Sequence, residues 1–188
     1  MKDKLILVIG FAILILAIQH PFPKELKIAH ESVSSPVAQS AVAEEIATST
    51  PENTVITRVV DGDTVVAMVS GISEKIRLIG VDTPETVDPR KPVQCFGMEA
   101  SAFTKSLLLN ATIRLEADPS QGDRDKYGRL LRYVFLGNTN ISEEIIAKGY
   151  GHEYTYDIPY KYQAEFKNAE QMAREAKKGL WANGVCEK

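Results

Sequence analysis

From Thr54 onward the chain runs in short bursts of alternating apolar and polar residues, each closed by turn formers. TVITRVV (54–60) and TVVAMVS (64–70) read as strands, and the Asp61-Gly62 pair between them is a hairpin signal. After the turn at Gly71 to Ser73, EKIRLIGV (74–81) reads as a third strand. TIRLEA (112–117) and LLRYVFL (130–136) supply a fourth and a fifth. Three stretches switch to helical spacing. Residues 99–110 place Ala102, Phe103, Leu107 and Leu108 on one side. Residues 141–148 follow a cap at Asn140 or Ser142 and stop at Gly149. Residues 160–178 carry the stripe Tyr162, Phe166, Ala169, Met172, Ala173 and Ala176, and end at Gly179. A Pro-rich charged loop (84–94) and a polar loop (118–128) fall between, and no internal repeat is visible. Five short strands and three helices, one of them between strands three and four, predict an α+β, mainly β domain. The expected form is an OB-fold, a five-stranded Greek-key barrel whose face and loops often bind nucleic acids.

The pattern upstream is different. Two lysines precede an apolar run, Leu5 to Ile18, of roughly 14 residues, the length of a secretory h-region and short of the ~20 a spanning helix needs. Residues 1–20 are therefore expected to be a signal peptide or an N-terminal membrane anchor. Residues 21–53, rich in Ser, Ala, Val, Pro and Glu without a period, are expected to be a flexible linker. The domain is set at 54–182 and a tail at 183–188. This organisation predicts an extracytoplasmic protein, secreted or attached at the outer face of the cell membrane.

Composition adds two limits. A length of 188 residues suffices for one domain with a proper core. A net charge of −3 excludes a generically basic nucleic-acid binder, so a polyanion must be held by a local cluster. Cys95 and Cys186 are the two cysteines and allow one disulfide, which export makes plausible; two free thiols are the alternative. With no CxxC and no Cys/His cluster, zinc is disfavoured.

Candidate chemistry centres on RLIGVDTPE (77–85), an apolar strand that breaks at Gly80 and then presents Asp82, Thr83 and Glu85 around Pro84. Three further features bear on it: Asp61-Gly62-Asp63-Thr64, Arg77 within the strand, and Asp125-Lys126-Tyr127-Gly128-Arg129. Each alone has a plain explanation: a hairpin turn, a solvated strand face, a polar loop. Together Asp63 and Asp82 with a Thr oxygen make hard ligands suited to Ca²⁺ or Mg²⁺. Glu85 is placed to accept a proton from water, and Arg77 and Arg129 can each present a guanidinium fork to phosphate oxygens. These are the parts for metal-assisted hydrolysis of a phosphodiester. One geometric condition follows. Arg77 and Asp82 are five residues apart and would point to opposite faces of a regular strand, so the chain must bend near Gly80.

Taken in order, VVDGDTV, RLIGVDTPET, FGMEASAFTK and DKYGRLLRYVF resemble the staphylococcal nuclease (thermonuclease) family, from about Thr54 to Trp181. The resemblance implies an OB barrel with three helices that hydrolyses DNA and RNA with Ca²⁺ and leaves 3′-phosphate ends. It implies that Asp63 and Asp82 bind calcium through side chains and Thr83 through its carbonyl. Glu85 is then the general base, and Arg77 with Arg129 the catalytic phosphate-binding pair. Tyr154 and Tyr156 match a Tyr-x-Tyr near the substrate, and Lys126 and Tyr127 match positions beside the nucleotide. The loop from Val87 to Pro92 is less basic than in the type enzyme, and Cys95 and Cys186 are additional. The expected partner is DNA or RNA, single-stranded by preference because the site must reach a backbone with splayed bases, and the expected state is a monomer. A non-catalytic nucleic-acid-binding module is the alternative, and a calcium-binding adhesion domain a third. The complete set of arginines and carboxylates argues against both. His152 is assigned no chemical role, and Trp181 is expected to pack the end of the last helix.

Overall fold

The structure, a computed structural model, describes residues 53–186. The leader and nearly all of the linker lie outside these residues. The chain order is β1 (Asn53–Asp61), β2 (Thr64–Val69), β3 (Ile72–Leu78), β4 (Val81–Asp82), α1 (Gly97–Leu108), β5 (Thr112–Glu116), β6 (Leu130–Leu136), β7 (Thr139–Asn140), α2 (Ile141–Ala147), β8 (His152–Glu153), α3 (Gln163–Glu175) and a 3₁₀ turn at Gly179–Trp181.

Alternation in the strands dictates the barrel. β1 to β3 form an antiparallel meander, with Val59 opposite Val65 and Val65 opposite Ile76. β5 pairs antiparallel with both β1 and β6. β3 then pairs parallel with β6, Ile76 opposite Leu130, and this closes five strands into an OB-fold barrel. Closure removes the free edges of the sheet. Ile56, Val65, Ile76, Ile113 and Val134 point inward and are fully buried, each contributing roughly 1.5–3 kcal/mol through burial. Phe166 of α3 and Ile145 and Ile146 of α2 extend the same core. Asn140 caps α2, its side chain accepting the Ser142 N–H.

Several boundaries differ from those predicted, and the differences matter for the site. The third strand ends at Leu78 instead of running to Val81. Gly80 has φ +79°, and a Cβ there would come within 2.7 Å of the Phe166 and Tyr160 rings. Only glycine gives both the left-handed turn and that close approach. Val81 and Asp82 then pair with Glu153 and His152 as a separate two-residue ladder. The first helix starts at Gly97 and the last covers Gln163–Glu175, shorter than residues 160–178. Met172 is exposed and leaves the buried stripe, while Phe166, Ala169 and Ala173 form it. Tyr160 and Tyr162 precede the helix and pack around Tyr133. Trp181 lies under the Arg174 guanidinium, 3.8 Å from the ring centre, and meets His152 edge-on. Among the described residues no helix is long and apolar enough to cross a membrane.

Candidate active site

The turn between β1 and β2 and the bend after β3 meet at one rim of the barrel. Gly62 is what lets them touch, since a Cβ there would lie 2.6 Å from the Thr83 hydroxyl. Thr104 of α1 fixes the turn from behind by donating to the Gly62 carbonyl at 2.6 Å. Asp63 is buried there. Its Oδ2 accepts from the Thr83 N–H at 2.9 Å and the Thr83 hydroxyl at 3.0 Å, and its Oδ1 from the Thr64 hydroxyl at 3.0 Å.

Arg77 joins the two carboxylates. One guanidinium nitrogen lies 2.8 Å from Asp63 Oδ2 and also donates to the Val81 carbonyl; the other lies 2.8 Å from Asp82 Oδ1. The Arg77 side chain is only 12% exposed, so this is an inward-facing arginine and not one on a solvated strand face. The break at Gly80 satisfies the geometric condition, because Asp82 belongs to a separate ladder and can turn back toward Arg77.

Asp63 and Asp82 are hard oxygen donors drawn to one point from different strands, with the Thr83 backbone beside them. Asp82 is half-exposed, yet it titrates above its ordinary value: partial desolvation raises it, Arg77 opposes that, and the Asp63 charge adds to it. A cation would relieve that repulsion. Among the described residues no group of three acidic, His or Cys side chains forms a closed cage. Backbone oxygen, water and substrate would complete the 6–8 oxygens that calcium takes. The donor set fits a hard divalent ion in an open site.

Glu85 sits just beyond, half-buried. Its Oε1 accepts the N–H groups of Thr86, Val87 and Asp88 at 2.9, 2.7 and 3.1 Å. Burial works to raise its pKa, but the Val87 N–H, the Asp61 carboxyl and the Asp88 and Thr86 N–H groups outweigh that and hold it below the usual range. Asp61 behaves oppositely. Burial pushes it up to about 6 against hydrogen bonds from Gly62 and Thr86, and it is hydrogen-bonded to Glu85. Sequence reasoning treated Asp61 as a turn residue only; its burial on the rim is a tertiary effect.

Arg129 reaches the same rim from the start of β6. Its Nε donates to Asp125 at 2.6 Å and a terminal nitrogen to the Thr64 hydroxyl at 3.3 Å. Asp125 was also missed as a positioning group, although its i,i+4 spacing to Arg129 is visible in the sequence. Arg77, Asp82 and Arg129 border a cavity of about 480 Å³ whose other walls include Lys126, Tyr127, Tyr154 and Tyr156. Tyr127 and Tyr156 are 71% and 73% exposed, so they are not core residues, and Lys126 and Arg129 lie over the Tyr127 ring at 5.2 and 5.4 Å from its centre. The structure thus brings Arg77, Asp82, Lys126, Tyr127, Arg129, Tyr154 and Tyr156 around one cleft, joins Asp63 and Thr83 to it through Arg77, and leaves Glu85 three residues beyond Asp82. Cys95 and Cys186 lie apart from that cleft and are joined as a disulfide, with Cα atoms 5.7 Å apart.

The fold and the rim define an OB-barrel domain built to grip an anionic ligand between guanidinium groups, carboxylates and tyrosines. Residues 75–183 match the family model described as staphylococcal nuclease homologue. The chain is 44% identical over 128 residues to a thermonuclease of Staphylococcus hyicus, covering 68% of this chain and 75% of that one. It is 41% identical over 130 residues to a thermonuclease of Staphylococcus intermedius, covering 69% and 76%. Endonuclease YncB of Bacillus subtilis is 37% identical over 132 residues, covering 69% and 62%. The chain belongs to the staphylococcal nuclease family.

Proposed function

We propose that the protein is an exported, calcium-dependent nuclease that hydrolyses phosphodiester bonds of DNA and RNA and leaves 3′-phosphate ends. Its family and named relatives make it a nuclease acting on nucleic acid. The calcium, the RNA substrate, the single-strand preference, the monomeric state and the export are our reading. The observation that carries the chemistry is the convergence of Arg77, Arg129, Asp63 and Asp82 on the rim beside the tyrosine-lined cleft, with Glu85 three residues beyond Asp82.

Arg77 and Arg129 bind the non-bridging oxygens of the scissile phosphate. Charge grows on those oxygens as water attacks, so both arginines stabilise the transition state more than the bound substrate. Asp125 and Thr64 orient Arg129, and the two acidic partners orient Arg77. Glu85 is ionised at neutral pH and takes a proton from the attacking water. In-line attack expels the 5′-oxygen and leaves phosphate on the 3′ side. Asp63, Asp82 and the Thr83 carbonyl would hold the calcium ion, which supplies Lewis-acid charge and lowers the pKa of bound water. Tyr127, Tyr154 and Tyr156 offer ring faces to unpaired bases, and Lys126 adds a positive charge beside the backbone.

The test is digestion of single-stranded DNA and of RNA by the purified full-length chain, with calcium and with a chelator, alongside Glu85→Ala and Arg129→Ala. We expect calcium-dependent cleavage, reduced by at least about 10²-fold in each variant. Tight binding of DNA without cleavage under any divalent metal would instead make the barrel a binding module.

A further inference from the structure

The loop that carries Glu85 leaves the rim at that residue and returns at Gln94, and the two ends are clipped together. The Gln94 side-chain oxygen accepts the Glu85 N–H at 2.8 Å, and the Gln94 N–H donates to the Glu85 carbonyl at 2.9 Å. The Glu85 carboxylate is in turn held by three N–H groups of that same loop. Where Glu85 points therefore depends on how the loop is closed.

Gln94 and its neighbour Cys95 are both exposed, so apolar packing does not hold them. Two ties fix this end: α1, whose Gly97 N–H donates to the Gln94 carbonyl at 3.0 Å and whose preceding Phe96 stacks on Tyr150, and the bond from Cys95 to Cys186, 91 positions on. The segment before Cys186 is well anchored. Leu180 is largely buried and donates to the Gly149 carbonyl at 2.8 Å, and Trp181 is covered by Arg174. The disulfide thus bolts a surface clip, two bonds from Glu85, onto a fixed part of the domain. The barrel core does not require it, since neither cysteine contributes to the buried cluster.

We propose that Gln94 is a positioning residue for Glu85 and that the Cys95–Cys186 disulfide holds it in place, so the oxidised enzyme is fully active and the reduced enzyme is slowed. The inference rests on Glu85 being the base. A dithiol reductant delivers two electrons and two protons. The Sγ–Sγ bond breaks, Cys95 and Cys186 become thiols, and the reductant closes to its own disulfide. Cys95 is accessible to such a reagent.

The experiment is steady-state cleavage of single-stranded DNA by the full-length protein with calcium, before and after dithiothreitol, with thiols counted in parallel. Two thiols should titrate, kcat should fall between about 10-fold and 100-fold, and KM should change by less than about twofold. Gln94→Leu with the disulfide intact should reproduce the fall. Gln94→Glu, which keeps the acceptor oxygen, should recover most of the activity. In Glu85→Gln, reduction should cause no further loss, because the two changes act through one group. Unchanged kcat with two thiols titrated would overturn the proposal, as would an equal fold-loss on reduction in the Glu85→Gln enzyme. If reduction unfolds the domain, Gln94→Leu decides, and wild-type kcat there overturns the proposal. A Glu85→Gln enzyme with undiminished kcat would remove the base assignment itself, a failure visible before any reductant is added.

Discussion

Replacing Asp118 by Ala should destabilise the domain by about 3–5 kcal/mol, far more than its place in a polar loop suggests. The residue is 4% exposed and lies just after β5. Its Oδ2 accepts from the Tyr133 hydroxyl at 2.7 Å and the Lys161 N–H at 2.8 Å, and its Oδ1 from the N–H and hydroxyl of Ser120 at 2.9 and 2.8 Å. Tyr133 is fully buried against Tyr162 and Phe166, so its hydroxyl has no route to water. Without the carboxylate, the buried Tyr133 hydroxyl loses its acceptor at about 1–3 kcal/mol, the N–H groups of the exposed Ser120 and Lys161 lose a bond worth about 1 kcal/mol each, and the Ser120 hydroxyl can turn to solvent. Asp118→Asn keeps one acceptor oxygen but sets an NH₂ against a donor, and should cost about 2–3 kcal/mol. Urea unfolding followed by the single Trp181 reads both variants. With a slope of ~1–3 kcal/mol/M, the Ala midpoint should drop by roughly 2 M. The pH dependence adds a second check. Burial acts to raise the Asp118 pKa, but the bonds from Lys161, Tyr133 and Ser120 outweigh it and the net shift is downward. A depressed folded pKa gives stability that is present above the unfolded value of ~3.9 and is lost as pH falls through the folded value. The gap between wild type and Asp118→Asn should therefore be widest above about pH 4 and narrow below it. Equal midpoints at neutral pH, or a gap that does not narrow in acid, would show that this carboxylate does not clamp β5, β6 and the approach to α3.

Other outcomes follow from the same geometry. Gly80→Ala should cost about 2–4 kcal/mol, because the new methyl meets Phe166 and Tyr160 at 2.7 Å in a left-handed turn; an unchanged urea midpoint would count against it. Calcium at about 100 times its Kd should stabilise by ~2.7 kcal/mol, a rise in Tm of roughly 10 °C by calorimetry, and Asp63→Ala or Asp82→Ala should abolish most of it. Tyr156→Ala should raise KM for single-stranded DNA by fivefold or more, the equivalent of ~1 kcal/mol of lost stacking, with little change in kcat; an unaltered KM would remove the ring from the substrate path.

What the sequence made legible was whatever repeats locally. The alternation of residues 130–136 gave β6 with the bounds observed, and Asp61-Gly62 marked the first hairpin. The third helix shows where periodicity fails. Phe166, Ala169 and Ala173 fall within a narrow arc at ~100° per residue, while Met172 lies well to one side, so an apolar residue near the stripe was counted into it. The third strand was read too long because Ile79 and Val81 continue its apolar run. Only the pairing of Val81 and Asp82 with residues 152–153, some seventy positions on, shows that the ladder has changed partner. Asp118 and Gln94 were invisible for the same reason. An Asp-Pro-Ser stretch reads as a turn, and nothing local says that Tyr133 and Lys161 will close over it.

This division explains why the site could be named before its geometry was known. The candidate residues lie in short local motifs, and the chemistry open to two arginines and three carboxylates can be inferred from residue type. Their convergence is set elsewhere. Gly80 yields to Phe166 and Tyr160, and that contact turns Asp82 toward Arg77. Thr104 of α1 holds the Gly62 turn, and through Thr83 that turn holds Asp63. Asp125 and Thr64 aim Arg129, and Gln94 clips the base of Glu85. Each catalytic candidate is therefore paired with a partner whose identity carries no signature of catalysis. Those partners are where substitutions should alter rate while leaving the motifs of the family intact, and the Gln94 clip is the one that the disulfide makes sensitive to redox conditions.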